Sequence, residues 1–275
     1  MATSAAPAAP PAASAERSPL ADFARQSLAI VNVELRKVRR DPTELLTRAA
    51  QPTLWLVVFG SVFQRLRAVP TGNISYTAFM APGVLAQSIL FSAIFYGIGV
   101  IWERDLGIVH KLLVSPAYRG ALVLGKAIAA GARGLAQAAL IYIVVAVMRI
   151  DLRASPVALL EVLASVVIGS AIFATFSLLI ACVVKSRERF MGIGQLLTMP
   201  LFFASNAIYP IALMPTWLQV IARVNPLTYL VDALRGAMIV GGVSVFGFGT
   251  DFAVLSGVFL LLWLGTSKLY PTLIR

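Results

Sequence analysis

Apolar residues in this chain fall into long runs separated by short polar stretches. The runs cover roughly 44–63, 76–101, 122–148, 156–184, 190–208 and 251–269. Each is near 20 residues or longer, which a helix rising ~1.5 Å per residue needs to cross a hydrocarbon core ~30 Å thick. None alternates with the period of two that a barrel strand shows. The pattern predicts an all-α, polytopic membrane protein with six transmembrane helices, its spanning domain covering residues 44–269.

The stretches between and before the runs differ in kind. Residues 1–19 are rich in Ala, Pro and Ser, with neither a basic start nor an apolar centre, and predict a disordered tail rather than a signal peptide. Residues 20–40 place Leu20, Phe23, Ser27, Ile30, Val31, Leu35 and Val38 at helical spacing, with Arg25, Arg36, Lys37, Arg39 and Arg40 on the polar side and at the end. That is the pattern of an amphipathic helix lying in the membrane interface against lipid headgroups. Residues 103–115 predict a second, shorter amphipathic helix. Glu103 and Asp105 open it, His110 and Lys111 lie near its end, and Leu106, Val109, Leu112 and Leu113 form one apolar face before Pro116 stops it. Wedged between two spans, it predicts a docking element for another protein. Residues 209–249 are moderately apolar but broken by Pro210, Pro215 and Pro226, and they end in a Gly-rich turn. They predict one or two short helices lodged partway into the membrane face.

Charge then orients the picture. Only 13% of residues are charged, against 59% hydrophobic, which excludes an ordinary soluble domain. The net charge of +11 could suggest nucleic acid as a partner, but its distribution speaks for orientation instead. Sixteen of the 23 Lys and Arg fall at the two chain ends, in 102–126 and in 185–189, against six in 64–75, 149–155 and 209–250. Both termini and the 103–115 helix are therefore expected in the cytoplasm.

Candidate chemistry is sparse. Gly120–Lys126 matches the first seven positions of a phosphate-binding loop, but Ala127 has no hydroxyl for Mg²⁺ and no strand precedes it. If ATP drives this protein, another chain binds ATP and Mg²⁺; no cofactor is expected here. His110 is the only histidine and Cys182 the only cysteine, so no metal site, disulfide or catalytic set is predicted. Arg133 is the charge deepest in a span, a candidate pathway or gating residue. Glu161 stands about 12 Å away along the membrane normal, too far for direct pairing. Gln87, Gln195 and Asn206 either line a pathway or link helices. Asp232 and Arg235, three apart, are placed to pair on one helix face.

Two motifs carry a resemblance. The acidic start, Lys111-Leu-Leu-Val-Ser-Pro116 and Gly125-Lys126, in that order, resemble the cytoplasmic loop of permease subunits of type-2 ATP-binding-cassette exporters. Members include drug-resistance permeases of the daunorubicin type and nodulation-factor exporters. Asn225-Pro226-Leu227-Thr228-Tyr229 followed by Asp232-Ala-Leu-Arg235 resembles the same family's signature before the last span. The likeness runs over about residues 20–270. It departs where Ile108 follows Gly107 and His110 takes a position usually acidic. The resemblance implies a six-span half-transporter in a bacterial plasma membrane, a homodimer bound to two copies of a separate ATPase, with no catalytic residues of its own. Residues 103–115 would be the coupling helix, braced by 20–40, and 209–249 a re-entrant cap over the exit. An amphipathic or lipid-like small molecule is the expected substrate, since the spans hold few fixed charges. A lipid-linked polysaccharide or cell-wall polymer is the alternative. An ion-coupled carrier would need more ionisable residues at mid-span.

Overall fold

The computed structural model describes residues 18–40, 43–67, 69–72, 74–115, 117–184 and 186–274, and the regular secondary structure within them is helical apart from one isolated bridge between Leu152 and Ile239. Residues 1–17 and Pro116, for which a tail and a helix stop were expected, lie outside the described residues, as do Asp41–Pro42.

In chain order the helices are α1 (Pro19–Arg40), α2 (Thr43–Leu54), α3 (Ser61–Leu66), α4 (Tyr76–Asp105), α5 (Ile108–Val114), α6 (Arg119–Val147), α7 (Pro156–Val183), α8 (Arg187–Phe203), α9 (Thr216–Val224), α10 (Pro226–Met238) and α11 (Phe248–Leu269). Four of them, α4, α6, α7 and α11 with its extension to Leu273, are long and apolar enough to cross a membrane. The first expected span is one run, Thr43–Leu66, in which a π-helical turn, Trp55–Gly60, joins α2 to α3. Pro52, three residues before that turn, has no N–H to offer, and its ring crowds the carbonyl one turn back. The fifth expected span, α8, has only 17 helical residues.

α7 is the hub of the bundle, packing on α4, α6, α10 and α11. It can do so because it is apolar all round, with small residues such as Gly169, Ser170 and Ala174 on its buried faces. α1 crosses α6 where a side chain on Gly125 would collide with Ile30 and the Ser27 carbonyl. The glycine of the loop-like motif therefore serves helix contact, not phosphate.

The 103–115 stretch is not one helix. α4 continues through Glu103, Arg104 and Asp105, and Gly107, at φ +72°, ends it in a left-handed turn that closes with its N–H on the Arg104 carbonyl. α5 then starts afresh at Ile108. The two carboxylates therefore sit at a helix C-terminus, where the macrodipole disfavours them, and need cations from elsewhere.

Candidate functional site

Those cations come from three elements. Glu103 accepts from Lys126 of α6 at 2.8 Å and from Lys37 of α1. Glu34 of α1 accepts from Lys37 at 3.0 Å, from Lys126 at 3.2 Å and, through its other oxygen, from Arg133 at 3.0 Å. Arg133 and Lys126 both lie over the Tyr96 ring, at 4.7 and 5.6 Å from its centroid. Glu34 and Lys126 are almost fully buried, at 4% and 2% exposure. Burial alone would raise the Glu34 carboxyl, but Lys126, Lys37 and Arg133 outweigh it and bring its pKa from 4.5 to about 2. The second carboxylate, Asp105, receives Arg187 of α8 through two nitrogens at 2.6 and 3.1 Å, and that guanidinium lies 3.8 Å over the Trp102 ring. Arg104 bonds the other Asp105 oxygen at 2.9 Å. The end of α4 is thus tied by ion pairs to α1, α6 and α8.

α5 hangs from this cluster. The apolar face expected to be free is only partly so. Val109 is fully buried, and Leu112 and Leu113 are half-buried against the bundle core. α5 also packs on the closing turn Tyr270–Ile274. Leu106, at 70% exposure, Ile108, His110, Lys111 and Val114 face outward. The helix spends half of its amphipathicity on its own fold, and its outward face is mixed apolar and basic.

The pathway candidates do not converge. Arg133 belongs to the charged cluster. Gln87 is buried in α4 with its Oε1 lacking a hydrogen-bond partner. Glu161 lies near the start of α7, at the opposite end. Gln195 lines a recess between α2, α4 and α8.

Asn206 joins the Asn225–Arg235 motif at the far end of the bundle. Asn225 caps α10, its Oδ1 accepting from Leu227 N and its amide donating to the Leu201 and Ala204 carbonyls. Pro226 follows at the first helical position, and Tyr229 donates its hydroxyl to the Arg223 carbonyl at 2.6 Å. Asp232 and Arg235 do not form the ion pair expected of them. Asp232 accepts from the Val245 and Phe246 N–H groups at 2.7 and 3.0 Å and from the Ser244 hydroxyl at 2.8 Å, with Asn206 Nδ2 at 3.4 Å. Arg235 donates to the Asn206 carbonyl at 2.6 Å and lies 3.8 Å over the Phe79 ring. Burial explains the difference, since a turn and a helix end nearby supply backbone groups that would otherwise go unsatisfied.

Glu34 is the residue that sequence reasoning missed. Its signal was present: position 34 falls on the apolar stripe through Ser27, Ile30, Val31 and Val38, and a carboxylate there needs a buried partner. Lys126, met in the sequence only within the rejected phosphate-loop match and the Gly125-Lys126 pair, is that partner.

Among the described residues no group of His, Cys, Asp and Glu is placed to hold a metal. The family described as ABC-2 type transporter matches residues 25–239. A protein of Cyanophora paradoxa named ycf38, described provisionally as a transport permease, is 28% identical over 218 residues, covering 78% of this chain and 74% of that one. Its counterpart in Porphyra purpurea is 29% identical over 212 residues, covering 75% and 72%. Nodulation protein J of Rhizobium leguminosarum bv. trifolii is 27% identical over 197 residues, covering 71% and 74%. The chain belongs to the ABC-2 type transporter family, as a multi-pass membrane permease without an ATPase site of its own, in a family whose permeases work with separate ATP-binding-cassette ATPase subunits.

Proposed function

We propose that this chain is the membrane-spanning half of an ATP-driven exporter. Two permease chains, as a homodimer or with a homologous permease, bind two copies of the ATPase in a bacterial plasma membrane, with both termini in the cytoplasm. The run Thr43–Leu66 and the helix α8 count as spans beside α4, α6, α7 and α11, which makes six. The cargo is an amphipathic or lipid-like small molecule, of the kind that drug-resistance permeases move. α5 is the coupling helix, α1 is an interfacial helix that braces it, and residues 209–249 re-enter the membrane face as an outer cap. The exposed apolar residues Trp217, Val220, Ile221 and Val224 of α9 support that placement, and the Lys and Arg distribution supports the orientation.

One observation carries the coupling assignment: α5 presents an exposed mixed face while its root is clamped by ion pairs to α1, α6 and α8. A push on α5 therefore reaches three other helices through these ion pairs rather than bending a loop. ATP-driven approach of the two ATPases would rock these elements and open a path between the permease halves. The test is co-purification of the tagged permease with its ATPase, with Leu106→Asp and Lys111→Glu on the outward face. Both substitutions are expected to lower ATPase retention and permease-stimulated ATP hydrolysis roughly tenfold, as loss of an interface anchor does. Retention and stimulation both at the wild-type level would remove α5 from the contact.

A further inference from the structure

The hydroxyl of Ser244, in the turn between α10 and α11, has one hydrogen and two aspartates beside it. It lies 2.8 Å from Asp232 Oδ2 and 3.1 Å from Asp251 Oδ2, and it accepts from the Gly247 N–H at 2.7 Å. A serine donates only once. Were both aspartates ionised, one of those contacts would set a lone pair against a carboxylate, and both aspartates are fully buried. The arrangement needs one proton more than two carboxylates and a hydroxyl supply.

The neighbouring groups decide which aspartate carries it. Asp232 Oδ2 already accepts from the Val245 and Phe246 N–H groups, consecutive backbone donors of the kind that hold an anion. Among the described residues Asp251 receives no N–H, and its other oxygen, Oδ1, is buried without a partner. Asn206 Oδ1, on the amide that reaches Asp232, is orphaned in the same way, so this corner is short of donors. Arg235 does not supply them, since it directs Nη2 to the Asn206 and Phe79 carbonyls. At this end the elements packed on α11 bring Tyr229, Asp232 and Arg235 from α10, Tyr142 from α6 and Glu161 from α7. Of these, Asp232 alone acts electrostatically on Asp251.

We propose that Asp251 is a neutral acid whose proton latches α11 to the 244–247 turn: its Oδ2–H donates to Ser244 Oγ, and Ser244 donates to Asp232. When Asp251 ionises, its proton leaves to water past the half-buried Ser244, and two carboxylates then compete for one hydroxyl. The turn stays on α10 through the two N–H groups, and the first turn of α11 lets go. Closure takes up a proton and opening returns it, so falling pH strengthens the contact and rising pH weakens it. Because α11 packs on the hub helix α7, the pH at this end of the bundle reaches the core through that contact.

The contact involves only α10, α11 and the turn between them, so it stands or falls apart from the export and coupling readings. Purified full-length permease in nanodiscs, without the ATPase, is measured by infrared spectroscopy at neutral pH. The carbonyl stretch of a protonated carboxyl is expected in the wild type and not in Asp251→Asn, whose amide keeps a donor for Ser244. Ser244→Ala retains both carboxyls and is expected to move the band to that of an acid without an acceptor. The Asp251 amide closes on the Gly247 carbonyl at 3.0 Å. As pH rises from neutral, its hydrogen exchange, corrected for intrinsic rates, is expected to lose protection roughly tenfold per pH unit, the linkage of one proton. Val245 and Phe246 should keep theirs, and Asp251→Asn should abolish the slope. A wild type without the band, or a band unchanged in Asp251→Asn, would overturn the assignment of the proton. The band together with a flat exchange profile at Asp251 would make the proton a fixture and overturn the latch. If Asp251→Asn does not fold, Ser244→Ala decides: a band that moves supports the bond to Ser244, and one that stays in place overturns it.

Discussion

The two ends of the bundle solve the same problem, a buried charge, by opposite means. At the α5 end, Glu34 and Glu103 meet cations carried on long side chains from other helices. At the far end, Asp232 and Arg235 satisfy themselves mostly on backbone, the first on the 244–246 turn and the second on the Asn206 carbonyl. Side-chain ion pairs join helices that remain separate bodies, and each bond can lengthen or exchange partner as the helices move. A carboxylate saturated by consecutive N–H groups fixes a loop in one conformation. The far end is therefore built as a plug, and the α5 end as a joint.

The comparison is most exposed to substitutions that remove one side of it. Asp232→Ala leaves the Val245 and Phe246 N–H groups without their acceptor and Ser244 with Asp251 alone, and Arg235→Met leaves the Asn206 carbonyl without its donor. Each is expected to destabilise the protein by about 3 kcal/mol or more, read as a fall in the thermal unfolding midpoint in detergent. ATPase stimulation per folded molecule should change little. Next comes Glu34→Gln. It takes the carboxylate from Arg133 and leaves Lys126 with Glu103 alone in a nearly buried site, and is expected to reduce permease-stimulated ATP hydrolysis more strongly than it lowers the unfolding midpoint. If Glu34→Gln unfolds the protein as readily as Asp232→Ala, the distinction between joint and plug is wrong.

Two smaller effects sharpen the contrast. The Glu34 carboxyl titrates near pH 2 in the folded protein and at 4.5 when unperturbed. Its contribution is therefore complete above about pH 4.5 and is lost as pH falls toward 2. Hydrogen exchange of α1 amides, corrected for intrinsic rates, should lose protection across that window in the wild type and show no such step in Glu34→Gln. The smallest effect is expected at Lys37, whose side chain is 47% exposed. Lys37→Gln should shift stability by no more than ~1 kcal/mol, as solvated pairs do. A loss as large as that of Glu34→Gln would mean that the cluster acts through Lys37 rather than through the buried pair.

The long helices were legible because membrane burial demands uninterrupted apolar length. The expected run 156–184 is α7 almost to the residue, and 76–101 lies within α4. Short helices in 209–249 were legible from the spacing of their prolines, which α9 and α10 respect. The division of 103–115 was not. A carboxylate-first, lysine-last order reads as one helix, and only the left-handed turn at Gly107 assigns the carboxylates to the preceding one. The inward turn of Val109 was hidden too, since periodicity gives the spacing of a face but not what covers it. The Arg133–Glu34 pair was the least legible, because it joins residues 99 positions apart through an element read as merely interfacial.

That separation also bears on how the chain is made. Lys126 and Arg133 lie 92 and 99 residues beyond Glu34. At 5–20 residues per second they follow it out of the ribosome by roughly 5–20 s. During that interval α1 carries a carboxylate on its apolar side whose one cation at hand is the half-exposed Lys37, and burying it would be costly. On the proposed interfacial placement, that charge would keep α1 from sinking into the bilayer as a false span, and α6, by delivering its cations, would time its docking.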